Sequence, residues 1–333
     1  MANPHIDVLG IGNAIVDIIA RADDDFLVQH QMTKGAMTLI DEVRAEAVYD
    51  AMGPAVEISG GSAANTTVGL ASFGGRAAFV GKVKNDTLGH TFIHDIRASG
   101  VAFDTAPASD GPSTARCYIL VTPDGQRTMN TYLGAAQDLH PNDIDTDKVA
   151  SAAVTYLEGY LWDPKNAKNA FLKAATAAHD AKRLVALTLS DAFCVDRWRE
   201  EFLGLIRGGT VDLIFANEAE LKSLYQTGDF AAAVTALRQD VKLGVVTRSE
   251  KGCVIVNRKG SEVVRAFPVE RLVDTTGAGD LFASGFLFGL ARGKDPVSAA
   301  RLGALAAAEV IQHIGARPQT PLKALAAENG LTL

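Results

Sequence analysis

The 333-residue sequence has only three cysteines, which excludes a disulfide-stapled fold and a zinc site built on thiolates. Cys117, Cys194 and Cys253 are far apart and odd in number, as is typical of free thiols in a reducing compartment. Basic runs are also missing. With 32 Lys and Arg against 39 Asp and Glu, the net charge is -7, so neither nucleic acid nor an anionic membrane surface is an expected partner. We therefore expect a cytoplasmic protein.

Long hydrophobic runs are absent as well. The apolar stretch from residue 6 to 20 is interrupted by Asp7, Asn13 and Asp17 and has no Lys or Arg before it, which argues against a secretion signal. A second apolar run, residues 281–291, contains glycines and is too short to cross a bilayer. We expect a buried helix there and no membrane segment. The negative net charge does not exclude small phosphate-bearing ligands, because backbone dipoles and a few cations bind them locally.

The remaining pattern is that of an α/β protein. Short β-like runs alternate with helical patterns, which predicts a mostly parallel sheet covered by helices on both faces. The predicted strands are residues 7–11, 77–80, 154–157, 184–187, 213–215 and 244–247. The predicted helices are residues 88–98, 165–179, 218–224 and 231–238, followed by two Ala-rich helices within 277–312 that break near 293–296.

Two segments, residues 14–58 and 104–135, do not follow this alternation of strands and helices. They carry β-like alternation, and Pro123–Gly125 is a turn signal. We predict that they pair into a small sheet inserted in one domain that spans residues 1–333.

Three nucleotide or metal motifs fail. Residues 10–15 lack the third glycine of the dinucleotide fingerprint and precede a strand pattern instead of a helix. Residues 75–83 have the wrong glycine spacing for a P-loop, and Val83 stands where Ser or Thr would hold magnesium. His90 and His94 are four residues apart on a predicted helix but lack the Glu of a zinc protease, so an ordinary helix face is favoured.

The strongest motif is residues 274–280, Asp-Thr-Thr-Gly-Ala-Gly-Asp, directly before an apolar helix. Small residues at a helix entry leave backbone N–H groups free at the positive end of the helix dipole, which predicts an anion hole at Gly277, Ala278 and Gly279. Asp280, in the first turn, is the candidate acceptor of a proton from an attacking hydroxyl. Taken alone, such a string is more often structural.

Polar residues elsewhere strengthen the functional interpretation. Asn13 and Asp17 follow the first predicted strand, and Gly60 and Gly61 open a helix that carries Asn65. Glycine permits close ligand approach, while Asn and Asp can hydrogen-bond vicinal hydroxyl groups. These residues predict a site for a polyhydroxylated ligand.

Asn217 and Glu220 follow another predicted strand. Taken alone, they indicate a helix N-cap with a capping box.

In this chain order, the Gly-Gly element near residue 60 and the motif at 274–280 resemble the ribokinase or PfkB family of small-molecule kinases. The resemblance covers nearly the whole chain. It implies a ribokinase-like three-layer α/β/α sandwich with a doubly wound, mostly parallel sheet and a small β-sheet lid. It also implies transfer of the ATP γ-phosphoryl group to a primary alcohol with Mg²⁺ as cofactor.

The resemblance assigns roles by position. Asp280 matches the catalytic base and the amides of Gly277, Ala278 and Gly279 match the anion hole. The residues that match contacts to sugar hydroxyls are Asp17, Gly61 and Asn65, with Asn13 and Gly60 beside them. The residues associated with ATP and magnesium are Asn217, Glu220 and Thr247. Asp274 and Thr276 match a monovalent-cation site that usually holds potassium.

The acceptor is expected to be a ribonucleoside. The spacing of residues 12–17 is more similar to adenosine kinases than to ribokinases, and the lid strand near residue 130 is similar to theirs. It would offer Arg127 to the transferred phosphate. The expected substrate wall consists of Met129, Thr131 and Leu133 on one face of that strand, with Met37 and Leu39 as the opposing wall. The alternative is that these residues only pack the lid against the main sheet.

Other features favour a free sugar. Thr275 and Thr276 have the form common in sugar kinases, and Glu158 resembles a position where ribokinase-like enzymes place a sugar-contacting acid. We predict an adenosine kinase that makes AMP in purine salvage. A ribokinase- or fructokinase-type enzyme is the alternative, and a non-catalytic sugar or nucleotide sensor is the third interpretation. The sequence does not decide between a monomer and a homodimer, because lid edges in this fold either pair with a second subunit or are capped within the monomer.

Overall fold

The computed structural model describes residues 5–333, which form fourteen strands and twelve α-helices. The strands are β1 (Ile6–Ile11), β2 (Ile15–Arg21), β3 (Met37–Leu39), β4 (Ala55–Gly60), β5 (Ala77–Val80), β6 (Val101–Phe103), β7 (Ala115–Val121), β8 (Arg127–Tyr132), β9 (Ala152–Glu158), β10 (Leu184–Thr188), β11 (Leu213–Asn217), β12 (Leu243–Thr247), β13 (Cys253–Asn257) and β14 (Gly260–Val264).

The helices follow the predicted alternation, with bounds that differ from the sequence expectations by at most two residues where both exist. They are α1 (Asp24–Gln29), α2 (Glu42–Ala51), α3 (Ser62–Ser72), α4 (Thr87–Ala98), α5 (Thr146–Ala150), α6 (Lys165–Asp180), α7 (Ala192–Arg207), α8 (Glu218–Leu224), α9 (Phe230–Asp240), α10 (Ala278–Ala291), α11 (Pro296–Val310) and α12 (Leu322–Glu328). None of these helices in residues 5–333 is both long and apolar enough to cross a membrane.

Nine of the fourteen strands form the large sheet, in the order β14-β13-β12-β11-β10-β9-β1-β5-β6. The pairs from β6 to β12 are parallel, and β13 and β14 add an antiparallel edge. Strand order reverses around β1, whose neighbours are β5 and β9. In an open sheet of this kind, ligands bind at the carboxyl ends of strands at the reversal point.

Helices cover both faces of this sheet. Along β1, Val8 belongs to a core shared with α3, α10 and α11, while Leu9 and Ile11 belong to a second core shared with α6 and α7. Successive residues of a strand point to opposite faces, so this division follows directly from strand geometry. The predicted three-layer α/β/α sandwich is confirmed.

The other five strands form a small sheet in the order β3-β8-β7-β2-β4, drawn from residues 15–60 and 115–132. The predicted turn joins β7 to β8, where the Gly125 N–H donates to the Thr122 carbonyl at 2.8 Å. One face of the sheet packs on Ala45 and Val48 of α2. On the opposite face, Asp17 lies in register with Cys117 of β7, which lies in register with Thr131 of β8.

Candidate active site

The site begins with the short loop of residues 12–14 between β1 and β2. Glu158, at the end of β9, holds this loop in place. The Asn13 side-chain amide donates to Glu158 Oε1 at 2.7 Å, and the Ala63 N–H of α3 donates to Oε2 at 2.9 Å. Glycine is required at residue 12, because a Cβ there would lie 2.3 Å from Glu158 Oε2. Burial raises the pKa of Glu158 to about 7 against the opposing effect of these hydrogen bonds. Glu158 therefore joins two loops of the site, a role that the sequence interpretation as a sugar contact did not include.

Gly60, the last residue of β4, and Gly61, the N-cap of α3, bring the start of α3 against β2. A Cβ on Gly60 would lie 2.3 Å from Asp17 Oδ2, and a Cβ on Gly61 would lie 2.2 Å from the Asn13 carbonyl. Gly61 also has φ +99°, which other residues rarely adopt. Burial raises the pKa of Asp17 to about 7, and the charges of Arg317 and Arg127 act in the opposite direction. Asp17 is half-buried, so part of its surface remains open to a ligand.

Asp280 lies in the first turn of α10, opposite the first turn of α3. Its carboxylate accepts a 2.6 Å hydrogen bond from the Ser62 hydroxyl and a 3.0 Å hydrogen bond from the Asn65 side-chain amide. Burial raises the pKa of Asp280, while these two donors and the charge of Arg317 lower it. Asn65 is therefore bonded to Asp280 in addition to any role in sugar binding, and Ser62 is a site residue that the sequence analysis missed.

The N-terminus of α10 has the geometry of an anion site. Gly277 has φ +78°, and a Cβ there would lie 2.7 Å from Ala316. No side chain caps this helix. Within residues 5–333, the N–H groups of Gly277, Gly279 and Asp280 have no hydrogen-bond acceptor. Ala278 differs from the predicted anion hole, which included its N–H. That N–H instead donates to the Thr275 carbonyl at 3.2 Å because the chain turns there.

Arg317 is a cation of the site that lies outside every sequence motif. Its Nη2 donates to the Ser59 carbonyl at 2.5 Å and to the Ser59 hydroxyl at 3.0 Å. Its Nε and Nη1 atoms are buried without a hydrogen-bond partner in the described part of the chain. Burial lowers the pKa of Arg317 to about 10, which keeps it charged at neutral pH, and its charge acts on Asp17 and Asp280. The adjacent Ala316 contact to Gly277 brings this loop to the anion site.

Arg127 of the small sheet reaches the loop before α10. Its Nη2 lies 2.7 Å from Asp274 Oδ2, and its Nη1 donates to the Thr276 hydroxyl oxygen at 3.3 Å. Both side chains of the ion pair are almost fully buried. Asp274 and Thr276, predicted as cation ligands, are thus brought together with the predicted phosphate-binding arginine.

The structure differs from the predicted substrate wall in two respects. Met37 pairs with Met129 and Leu39 pairs with Thr131 in neighbouring parallel strands, so these residues extend one surface and do not oppose each other. Met37 and Leu39 are 44% and 54% exposed. Leu133 does not continue the alternation, because β8 ends at Tyr132 and Leu133 has helical backbone angles of φ -83° and ψ -22°.

The capping interpretation of Asn217 and Glu220 is confirmed, because both reciprocal hydrogen bonds of the capping box are present. Thr247 lies in register with Asn217 at the same sheet edge. Burial raises the pKa of Glu220 to about 7. Within residues 5–333, no group of three or more His, Cys, Asp or Glu residues is arranged to hold a metal ion.

The site as a whole has a surplus of hydrogen-bond acceptors beside a helix N-terminus with free N–H groups. Asp17 and Asp280 contribute carboxylates, and the buried Oδ1 atoms of Asn13 and Asn65 have no partner among the described residues. Unpaired buried acceptors are costly, and hydroxyl groups of a ligand are suitable donors. The arrangement can hold a polyol next to a phosphate.

Comparisons with known proteins agree with this chemistry. The sequence profile described as "pfkB family carbohydrate kinase" matches residues 37–323. An adenosine kinase from Sinorhizobium meliloti is 55% identical, with a TM-score of 0.92 over 98% of this chain and 100% of that chain. A probable sugar kinase from Rhizobium etli CFN 42 is 54% identical, with a TM-score of 0.93 over 99% of this chain and 100% of that chain.

More distant similarity extends to plant enzymes. The probable fructokinase-3 of Arabidopsis thaliana is 30% identical over 236 residues, which is 68% of each protein. The chain therefore belongs to the pfkB family of carbohydrate kinases and is a kinase of the sugar and nucleoside type.

Proposed function

We propose that this kinase transfers the γ-phosphoryl group of ATP to the 5′-hydroxyl of a ribonucleoside, and that adenosine is converted to AMP. One observation carries the proposal: the Asp280 carboxylate is held by Ser62 and Asn65 at the uncapped N-terminus of α10. A base and an anion site are thereby adjacent, as in-line phosphoryl transfer requires.

In the proposed reaction, the acceptor hydroxyl oxygen forms a bond to the γ-phosphorus while the bond to the ADP oxygen breaks. Asp280 accepts the hydroxyl proton, and ADP leaves with the bridging oxygen. The free N–H groups of Gly277 and Gly279 face the negative charge of the transferred group. Asp17 holds the sugar hydroxyls, and the small sheet excludes water that would otherwise compete as acceptor.

Mg²⁺ fits the site only as a companion of ATP. Magnesium in such sites keeps several water ligands and is held by phosphates with one or two carboxylates. Both carboxylate oxygens of Glu220 accept hydrogen bonds from Asn217 but retain lone pairs, so we propose that Glu220 would contact the metal through water. When bound, Mg²⁺ neutralises phosphate charge; the protein's own residues orient the acceptor and receive its proton.

Two observations support a nucleoside. The chain is 55% identical to the Sinorhizobium meliloti adenosine kinase over nearly its whole length. In addition, Met37, Leu39 and Met129 form an apolar surface on the two strands nearest one edge of the small sheet. A free sugar offers little apolar area to such a surface, whereas a purine base offers two flat faces. We propose that this surface contacts the base.

A free-sugar kinase is the second candidate function. It is supported by the equally similar probable sugar kinase from Rhizobium etli and by the plant fructokinase relatives.

The test is a coupled ADP-release assay with adenosine, inosine, guanosine, ribose and fructose as acceptors. We expect adenosine to have the highest kcat/KM, and Asp280→Asn to lower kcat by roughly 10³-fold or more with an unchanged Tm. Asp295→Asn is the matched control, because Asp295 caps α11 and lies outside the site. Higher kcat/KM for a free sugar would replace adenosine by the second candidate. Nucleotide binding without ADP release for any acceptor would overturn the kinase mechanism.

A further inference from the structure

Both carboxylate oxygens of Asp274 accept hydrogen bonds, and one of them also lies in an ion pair. Oδ1 accepts from the Thr276 N–H at 3.0 Å and from the Thr276 hydroxyl at 2.8 Å. Oδ2 accepts from the Gly315 N–H at 3.0 Å and lies 2.7 Å from Arg127 Nη2, in an ion pair that does not have the alignment of a hydrogen bond. A hard cation needs several oxygen ligands with lone pairs directed at it. Here the neighbouring loop presents an N–H group, and a guanidinium group occupies the remaining side.

The ion pair between Arg127 and Asp274 is buried, with side-chain exposures of 7% and 6%. A buried carboxylate requires a compensating charge, since burial removes the water that would otherwise stabilise its ionised form. Arg127 is the nearest cation to this carboxylate, and Arg317 instead contacts Ser59. The positive charge beside Asp274 is therefore supplied by the chain itself.

The pair lies directly next to the anion site, because Asp274 and Thr276 immediately precede Gly277. A positive charge at this point favours an anion at the free N–H groups of α10. Arg127 is on β8, so this charge is supplied by the small sheet and not by the solvent.

We propose that the Arg127 guanidinium takes the place of a monovalent cation at Asp274, and that this kinase therefore functions without potassium. The residues present do not fit the potassium site that the family resemblance implies. In the experiment below, the measurement of ADP release rests on the proposed function, whereas the measurement of Tm does not.

The experiment compares wild type, Arg127→Met and Arg116→Met in KCl and in choline chloride at equal ionic strength of about 100 mM. Arg116 is an equally buried arginine of the small sheet that bonds to Tyr118 and Ser113, so it controls for general damage to that sheet. Tm is measured without substrate, and ADP release is measured with the best acceptor.

For wild type and Arg116→Met, we expect the same Tm in both salts and less than about twofold change in kcat/KM. For Arg127→Met, we expect potassium to raise Tm, because ligand binding to the folded state alone stabilises it. Potassium should also restore activity at least about threefold relative to choline. The double variant Arg127→Met with Asp274→Asn should lose this response, because the vacant carboxylate is removed.

A rise in wild-type Tm or a several-fold rise in wild-type activity with potassium would overturn the inference. So would a folded Arg127→Met variant that responds to neither salt. If Arg127→Met does not fold, the wild-type comparison still decides the inference, and Arg127→Lys tests whether a shorter cation admits potassium. If no acceptor is phosphorylated, the proposed function fails while the Tm arm remains decisive.

Discussion

The side-chain amide of Asn65 donates a 3.0 Å hydrogen bond to the carboxylate of Asp280, although 215 positions separate the two residues in the sequence. An N–H donor favours the ionised form of a carboxylate and fixes the direction of its lone pairs. Asn65 therefore positions Asp280, in addition to its proposed contact with the sugar hydroxyls. Ser62 supplies the second donor from the same helix turn.

Replacing Asn65 by Asp should impair proton acceptance by Asp280. Two carboxylates at hydrogen-bond distance cannot both ionise readily, so the pKa of the pair rises. We expect kcat at pH 7 to fall at least about tenfold and the acid limb of the kcat profile to move up by roughly one pH unit. Asn65→Ala, which removes the donor without adding charge, should lower kcat without so large a shift. Equal pH profiles for the two variants would contradict this role.

Gly279→Ala should separate activity from stability. A Cβ at residue 279 meets no atom within 4 Å, and the residue is exposed in the first turn of a helix. The fold therefore tolerates alanine, which favours helix over glycine by about 0.5–1 kcal/mol. A phosphate at the Gly279 N–H would collide with the new methyl group, so we expect kcat/KM to fall by about 10²-fold.

Gly204 is the matched control for that substitution, since it lies exposed in α7 with open space around it. Gly204→Ala should raise Tm as much as Gly279→Ala while leaving turnover unchanged. Full activity of Gly279→Ala would remove this residue from the anion site.

Arg317→Gln should shift the pH dependence of catalysis. The Arg317 charge lowers the pKa values of both Asp17 and Asp280. Without it, both carboxylates hold their protons to higher pH, so the acid limb of kcat/KM should move up by roughly half to one pH unit. Arg292→Gln, which loses a bond to Asp7 at the other end of the sheet, is the comparison. An identical limb in Arg317→Gln and wild type would show that Arg317 is only structural.

Acceptor binding should weaken at acid pH through Asp17. Its pKa of about 7 means that the carboxylate is mostly ionised at pH 8 and mostly protonated at pH 6. Because the ionised form is the better acceptor for sugar hydroxyls, KM for the acceptor should rise up to about tenfold over that interval. Initial-rate measurements on Asp17→Asn should give a weaker but flatter dependence. A slope as steep as wild type would assign the titration to another group.

The sequence predicted those parts of the site that are continuous in the chain. The motif at 274–280 and Gly60-Gly61 were identified because each is a continuous string, and because their occurrence together in this chain order is specific where either alone is weak. Arg317 was not identified, since its function depends on contacts with Ser59, 258 positions away. The turn at Leu133 was missed because the period-2 pattern does not indicate where a strand ends.

Fold class was easier to predict than these contacts. Alternation of strands and helices is a local property, and all six predicted strands lie in the large sheet. Strand order in the small sheet, which makes Met37 a neighbour of Met129, depends on long-range pairing. No local pattern records that pairing.

The packing of α3 against α10 has a consequence for synthesis of the chain. Residues 63–70 of α3 are all buried in the folded protein, on one side by strands of the large sheet such as β1 and β5 and on the other by α10 from the C-terminal third. The ribosome adds about 5–20 residues per second, so the 215 positions between Asn65 and Asp280 take roughly 10–40 s to make. During that interval the side of α3 that packs on α10 has no final partner. The nascent chain should therefore depend on chaperones until its last helices emerge.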